Sequence, residues 1–198
     1  MIVVFEGIDG CGKGTQIQLL SKIMKYERKN YPDRKGVFGE LFNRVLKGST
    51  GEVFDGETLF TMFLMDMLKD RNLLQKYKKD EKSVILLDRY AHSTLAYQSA
   101  QGVDYDRGKR IIEHFGLVKP DIVIILDITP EESMERIKGE EIFENAEFLE
   151  KVRENYKRIY SDKFFAERMY WVSGIRYPDE INREIVDILT LHKVKAPQ

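Results

Sequence analysis

The sequence predicts a three-layer, doubly wound α/β fold, with a central parallel sheet of about five strands flanked by helices. Three observations carry this expectation. Residues 2–5, 84–87 and 122–126 are short, wholly apolar segments of the kind that form strands covered on both faces. Longer stretches with apolar residues at helical spacing lie between them. The first apolar run leads directly into Gly7-Ile8-Asp9-Gly10-Cys11-Gly12-Lys13-Gly14-Thr15, a glycine-rich segment placed between a strand and a helix.

Taken in order, the first strand is followed by a helix from Lys13 to about Lys25, with Ile17, Leu20, Ile23 and Met24 on its apolar side. A charged strand is expected near residues 26–31. Residues 57–77 read as one long helix bearing Leu59, Phe60, Phe63, Leu64, Met67, Leu68 and Leu74. The strand at 84–87 ends on Asp88, and a helix carrying Ser93, Thr94, Tyr97 and Gln98 follows Arg89. The strand at 122–126 ends on Asp127. Thr129-Pro130-Glu131-Glu132 opens another helix with a cap, a proline and two acids, which suits the positive end of the helix dipole. A helix over 148–165, a strand at 170–172 and a helix over 181–191 complete the reading. No repeat, low-complexity tract or linker divides the 198 residues, so a single domain is expected.

Composition narrows the function. A net charge of −1 provides no broad basic field for a nucleic-acid backbone. One cysteine, Cys11, excludes an internal disulfide and fits a reducing compartment. With no signal pattern and no apolar run of spanning length, a cytoplasmic protein is the expectation. Charged residues make up 33 %, which either a heat-adapted host or solvated helix faces would explain.

Gly7, Gly12 and Lys13 fit most of the phosphate-loop pattern Gly-x4-Gly-Lys-Ser/Thr. Glycines let backbone N–H groups approach phosphate oxygens, the helix start adds a dipole, and Lys13 adds a full charge. Gly14 stands where a Mg²⁺-ligating hydroxyl is usual, and Thr15 follows one residue later. Asp88 at a strand end suits water-mediated Mg²⁺ binding, and Arg89 offers a fork of donors to a phosphate. In Tyr31-Pro32-Asp33-Arg34, a stiffened turn presents Arg34 to a second phosphate; a solvated turn explains the same residues. Ser93, Tyr97 and Gln98 suit a nucleobase and its sugar, or simply a polar helix face.

Together these segments resemble the thymidylate kinases, members of the nucleoside monophosphate kinase group of P-loop enzymes. The resemblance runs almost end to end: Phe5-Glu6-Gly7-Ile8-Asp9-Gly10 with the loop, Tyr31-Pro32-Asp33-Arg34, Asp88-Arg89-Tyr90 with Ser93 and Ala96-Tyr97-Gln98, Pro120-Asp121, Leu126-Asp127, and Phe143-Glu144-Asn145 before Phe148-Leu149. It implies the P-loop kinase fold and transfer of the ATP γ-phosphoryl group to dTMP, with Mg²⁺ as cofactor. ATP would meet residues 7–15 (Gly7, Ile8, Asp9, Gly10, Cys11, Gly12, Lys13, Gly14 and Thr15), and Mg²⁺ would meet Asp88 and Thr15, through water. Asp9 would touch the acceptor sugar, and Arg34 and Arg89 the acceptor phosphate. Phe63 would stack on the base, Tyr97 would exclude a ribose hydroxyl, and Ser93 and Gln98 would line the base pocket. A lid over 138–146 and a homodimer through helices are also implied.

Three departures qualify it. Gly14 lacks the hydroxyl. Gly10 and Ile142 stand where family members carry a phosphate-transfer arginine, leaving Arg136, Lys138 or Arg153 to substitute. Met67 replaces the base-contacting arginine, with Arg71 expected one turn further on the same face. Two other readings therefore accompany the first: a kinase for a different or relaxed acceptor (dUMP, UMP or CMP), and a nucleotide-binding domain with weak kinase activity. A GTPase is disfavoured because the chain has no Asn-Lys-x-Asp.

Overall fold

The computed structural model describes residues 1–48, 51, 53–80, 82–137 and 145–192. Five parallel strands form its sheet: β1 (Ile2–Glu6), β2 (Glu27–Asn30), β3 (Ile85–Asp88), β4 (Ile122–Asp127) and β5 (Arg168–Ser173), in the spatial order β2-β3-β1-β4-β5. β1 is central and wholly buried, pairing Ile2 with Ile85 on one side and Val3 with Ile122 on the other. From β1 the chain crosses to the edge strand β2, returns to place β3 between β2 and β1, and then passes to β4 and β5 on the other side of β1. The order therefore reverses beside β1, where the carboxyl ends of the strands open a crevice for ligands.

Helices cover both faces: α1 (Lys13–Leu20), α2 (Gly39–Leu46), α3 (Gly56–Leu68), α4 (Arg71–Lys79), α5 (Ala91–Ala100), α6 (Tyr105–His114), α7 (Pro130–Arg136), α8 (Ala146–Ser161) and α9 (Pro178–Leu191). The core runs continuously through β1, β3 and β4 to Leu64 of α3, Leu95 of α5, Val152 of α8 and Ile185 of α9. α7 carries the expected start. Thr129 accepts from the Glu132 amide while the Glu132 carboxylate accepts from the Thr129 amide, which satisfies two orphan donors of the first turn.

β2 forms despite its four charged or polar residues, because it is an edge strand paired only with β3. Its side chains stay largely in water, so its pairing rests on backbone hydrogen bonds.

Three expectations are corrected. The first helix stops at Leu20 rather than near Lys25; the Ser21 and Lys22 amides bond three residues back, and the Ser21 hydroxyl donates to the Gln18 carbonyl. The long helix over 57–77 is two helices, broken at Lys69-Asp70, whose side chains are engaged in contacts elsewhere in the fold. α2 and α6 are helices where the sequence pattern predicts only connections, and Asp104 caps α6 by accepting from the Arg107 amide. The lid is expected over residues 138–146, of which 138–144 lie outside the described residues.

Candidate active site

The loop after β1 is shaped by backbone that only glycine adopts readily. Gly7 has φ 129°, and a Cβ there would stand 2.3 Å from the Leu126 carbonyl oxygen, so the loop lies flush against the end of β4. Gly12, at φ 97°, begins α1 without a capping side chain. Lys13 is buried, and its ammonium donates to the carbonyls of Gly7 (3.0 Å) and Ile8 (3.1 Å) and approaches Cys11 Sγ at 3.4 Å. A cation and a helix start thus converge on one turn, the arrangement that attracts a polyphosphate. Within the loop Ile8 and Cys11 are buried, while Gly14 and Thr15 are exposed in the first turn of α1.

Beside the loop, Arg89 occupies the left-handed region at φ 68°, an unusual conformation for a residue with a side chain. Its guanidinium pairs with Asp9, reaches the Tyr97 hydroxyl at 3.2 Å and the Gly7 carbonyl at 3.4 Å, and lies 4.8 Å over the Tyr97 ring. The Tyr97 hydroxyl also donates to Asp9 at 3.0 Å. Burial disfavours the Arg89 charge, but Asp9 and the other groups around it hold the guanidinium protonated well above its ordinary range. Asp88, one residue earlier, receives Arg28 of β2 at 2.7 Å.

The second turn is braced from α3. The Asp33 amide donates to Asp66 Oδ2 at 2.7 Å, and Lys69 bridges Asp66 (2.9 Å), Asp70 (2.9 Å) and Asp33 (3.4 Å). A Cβ on Gly39 would meet the Arg34 carbonyl oxygen at 2.3 Å, so the start of α2 packs tightly behind this turn. The turn carrying Arg34 therefore has a fixed backbone. Lys69 is held protonated against the cost of burial by its carboxylate partners.

The expected base-site residues are distributed unevenly. Phe63 is partly exposed on α3 and stacks with Phe42 of α2 at 5.5 Å and 26°. Met67 is 2 % exposed and belongs to the core. Arg71 begins α4, so the expectation of one continuous helix face from Met67 to Arg71 is wrong; its Nη1 would be 3.3 Å from a Cβ on Gly116. Ser93 is buried against Glu6 and Tyr156. Gln98 is buried as well, with its Oε1 lacking a hydrogen-bond partner among the described residues.

Of the three candidate replacement cations, Arg136 lies against the loop, donating to the carbonyls of Gly10 (3.4 Å) and Gly174 (3.1 Å). Arg153 is engaged by Asp127 through two bonds of 2.7 and 2.9 Å. Lys138 is outside the described residues. Position 10 has little room for a long side chain, since Gly10 has φ 73° and its Cβ would meet the Ser133 carbonyl oxygen at 3.1 Å. Glu6, Arg28, Phe42 and Asp66 were not foreseen at the site. The run Phe5-Glu6 offered the one available signal, a carboxylate ending an otherwise apolar strand.

A central parallel strand, a glycine-lined loop with its lysine, and an Asp-Arg pair on the neighbouring strand define a P-loop nucleotide-binding α/β protein. Comparison with known proteins makes this specific. Residues 5–185 match the family model described as thymidylate kinase. A "Probable thymidylate kinase" of Methanocaldococcus jannaschii is 39 % identical over 163 residues, covering 80 % of this chain and 81 % of the relative. A thymidylate kinase of Dictyostelium discoideum is 30 % identical over 195 residues, covering 95 % and 84 %. The fold matches the solved thymidylate kinase of Candida albicans with a TM-score of 0.78 at 24 % identity, over 97 % of this chain and 92 % of that one. The chain belongs to the thymidylate kinase family.

Proposed function

We infer that this chain transfers the γ-phosphoryl group of ATP to the 5′-phosphate of dTMP, giving dTDP and ADP. The observation that carries the reading is the meeting of the Lys13 loop with Arg89 over Asp9 and Tyr97, an arrangement that would set a donor-phosphate cradle against a site for a second nucleotide. Both reacting groups are polyanions, so the chain's task is to overcome their repulsion and align them. Lys13 would exchange its carbonyl partners for phosphate oxygens. Arg89 would span acceptor phosphate and transferred group, with Arg34 on the other side of the acceptor phosphate. Arg136, held at the loop by two carbonyls, is the described cation best situated to serve the donor nucleotide.

Asp9 and Tyr97 form one hydrogen-bonded unit that would meet the acceptor sugar, leaving little space for a second hydroxyl. Phe63 would stack on the base, and Gln98 Oε1, which has no hydrogen-bond partner among the described residues, would supply a buried acceptor from α5. Met67 would contribute apolar packing behind the base rather than a hydrogen bond.

Mg²⁺ fits this donor set in a limited way. It retains several waters and needs only one or two protein carboxylates beside phosphate oxygens. Among the described residues no three His, Cys, Asp or Glu side chains form a metal cage, but Asp88 lies at the strand end and Thr15 is exposed on α1. When bound, Mg²⁺ would neutralise charge on the donor phosphates; Asp88 and Thr15 would orient its waters.

The chain is further proposed to act as a single kinase domain with a lid over 138–146, as a cytoplasmic homodimer. Exposed Leu41 of α2 and Met65 of α3 are apolar positions such a contact would cover. No described helix is long and apolar enough to cross a membrane. Nothing in the comparisons favours a different acceptor or a weakly active binding domain. A coupled assay with ATP, Mg²⁺ and a panel of nucleoside monophosphates tests the reading. The highest kcat/KM is expected for dTMP; clear turnover of another monophosphate with none of dTMP would reject it.

A further inference from the structure

Glu6 ends β1 with its side chain wholly buried, directly beneath the loop, and no catalytic step described above uses it. Its two oxygens gather an unusual number of donors from two other elements. Oε1 accepts the amides of Tyr90 (2.8 Å) and Ser93 (3.3 Å), the first and fourth residues after Arg89. Oε2 accepts the hydroxyls of Ser93 and, at 2.9 Å, of Tyr156 on α8. Those two hydroxyls also touch each other at 3.0 Å, and Arg89 Nη1 reaches the Ser93 hydroxyl at 3.4 Å. His92 Nδ1 stands 3.6 Å from Oε1.

The position of this carboxylate matters because of the residue it brackets. Arg89 holds a left-handed backbone, which is strained for a residue with a Cβ and persists only where the surroundings over-determine it. The Arg89 amide is fixed by the Phe5 carbonyl at 2.9 Å, and the next amide by Glu6. Consecutive residues of β1 thus clamp consecutive residues of the turn. Burial would push the Glu6 carboxyl upward, but the adjacent His92 ring, the hydrogen bonds from Ser93 and the charge of Arg89 hold it below the usual carboxylate range, so it remains an acceptor.

We propose that Glu6 is a positioning residue for phosphoryl transfer: its carboxylate fixes the strained Arg89 turn and, through Ser93 and Tyr156, ties that turn to α8, the helix that follows residues 138–144. This rests on the assignment of Arg89 to the transferred phosphoryl group. Glu6 itself touches neither nucleotide. Displacing it should therefore change turnover more than nucleotide binding, because a misaligned guanidinium forfeits stabilisation made in the transition state.

Two substitutions separate position from charge. Glu6→Asp keeps the charge and withdraws the oxygens by one methylene; Glu6→Gln keeps the reach and one acceptor oxygen while losing the charge. Glu6→Asp is expected to lower kcat about 30-fold with both nucleotide KM values within about threefold, while Glu6→Gln stays within about fivefold of wild type. The Arg89 Nε–H resonance, read by NMR without turnover, should move in Glu6→Asp and stay in place in Glu6→Gln. The reverse order of the two variants, or a lowered Tm with kcat and the Arg89 resonance unchanged in both, would overturn the proposal. Wild-type protein that turns over no monophosphate would instead reject the proposed function, and the Arg89 resonance alone would then decide the role of Glu6.

Discussion

Gly14 illustrates how much a single side chain can alter this loop. It lies in the first exposed turn of α1, and a Cβ built on it has nothing within 4 Å. Its neighbours are different: Gly7 and Gly10 have positive φ and close contacts behind them, so a substitution there would strain the backbone. The missing hydroxyl is therefore not excluded by packing. Gly14→Ser should fold, gain about 0.5 kcal/mol from better helix propensity, and offer a Mg²⁺ ligand at the motif's usual position. A Mg²⁺ titration of turnover should then show half-saturation at about two- to fivefold lower concentration. An unchanged titration would mean that the ion is held without this position.

At the scale of elements, the informative feature is the way α3 holds two parts of the site at once. Phe63 projects from one turn of α3, and Asp66 from the next supports the Asp33 amide beside Arg34. In the proposed reading, one helix would thereby set both the base end and the phosphate end of the acceptor site. Asp66 is fully buried with Lys69 as its ion partner, and removing one member of a buried pair leaves the other poorly compensated. Lys69 retains Asp33 and Asp70, which softens the loss. Asp66→Ala should cost about 2–3 kcal/mol and lower Tm by roughly 5–10 °C. It should also raise the KM for dTMP about tenfold while the KM for ATP stays within about twofold, because only the acceptor turn loses its brace. Equal changes in both constants would argue against this division. The same lysine and aspartate explain the split between α3 and α4, since Lys69 and Asp70 are held by Asp33, Tyr31 and Lys29.

The whole molecule stores carboxylate interactions that acid should release. Glu6 lies below its ordinary pKa as described, and Asp33 is also lowered: partial burial opposes the shift, but the Lys35 amide and the ammoniums of Lys69 and Lys29 outweigh it. A carboxylate depressed in the folded state contributes stability that is fully present above its unfolded pKa and is lost as pH falls through its folded value. The urea midpoint should therefore be level from about pH 5 to 8 and fall below about pH 4. Glu6→Gln should make that fall shallower. A midpoint insensitive to pH in the acid range would show that the unfolded chain holds the same protons.

Much of this was legible in the sequence because it follows from local rules. Apolar runs fixed β1, β3 and β4, the Thr129-Pro130-Glu131-Glu132 start fixed α7, and the glycine spacing fixed the loop and Lys13. Asp88-Arg89 and Tyr31-Pro32-Asp33-Arg34 could be singled out from residue type and place, and the resemblance named the family that the comparisons then showed. The remainder depends on which distant groups meet. The break at Lys69-Asp70, the burial of Met67, the turning of Arg71 toward Gly116, and the pairing of Asp88 with Arg28 all arise between segments far apart in the chain. So does the Glu6 network, in which the nearest donor is more than 80 residues away. The sequence by itself determined the alternation of strand and helix, the phosphate loop and the family, because periodicity and glycine chemistry act over a few neighbouring residues. Only the tertiary structure decided what lies beneath Arg89 and behind Arg34, because a buried carboxylate is defined by the donors the fold brings to it.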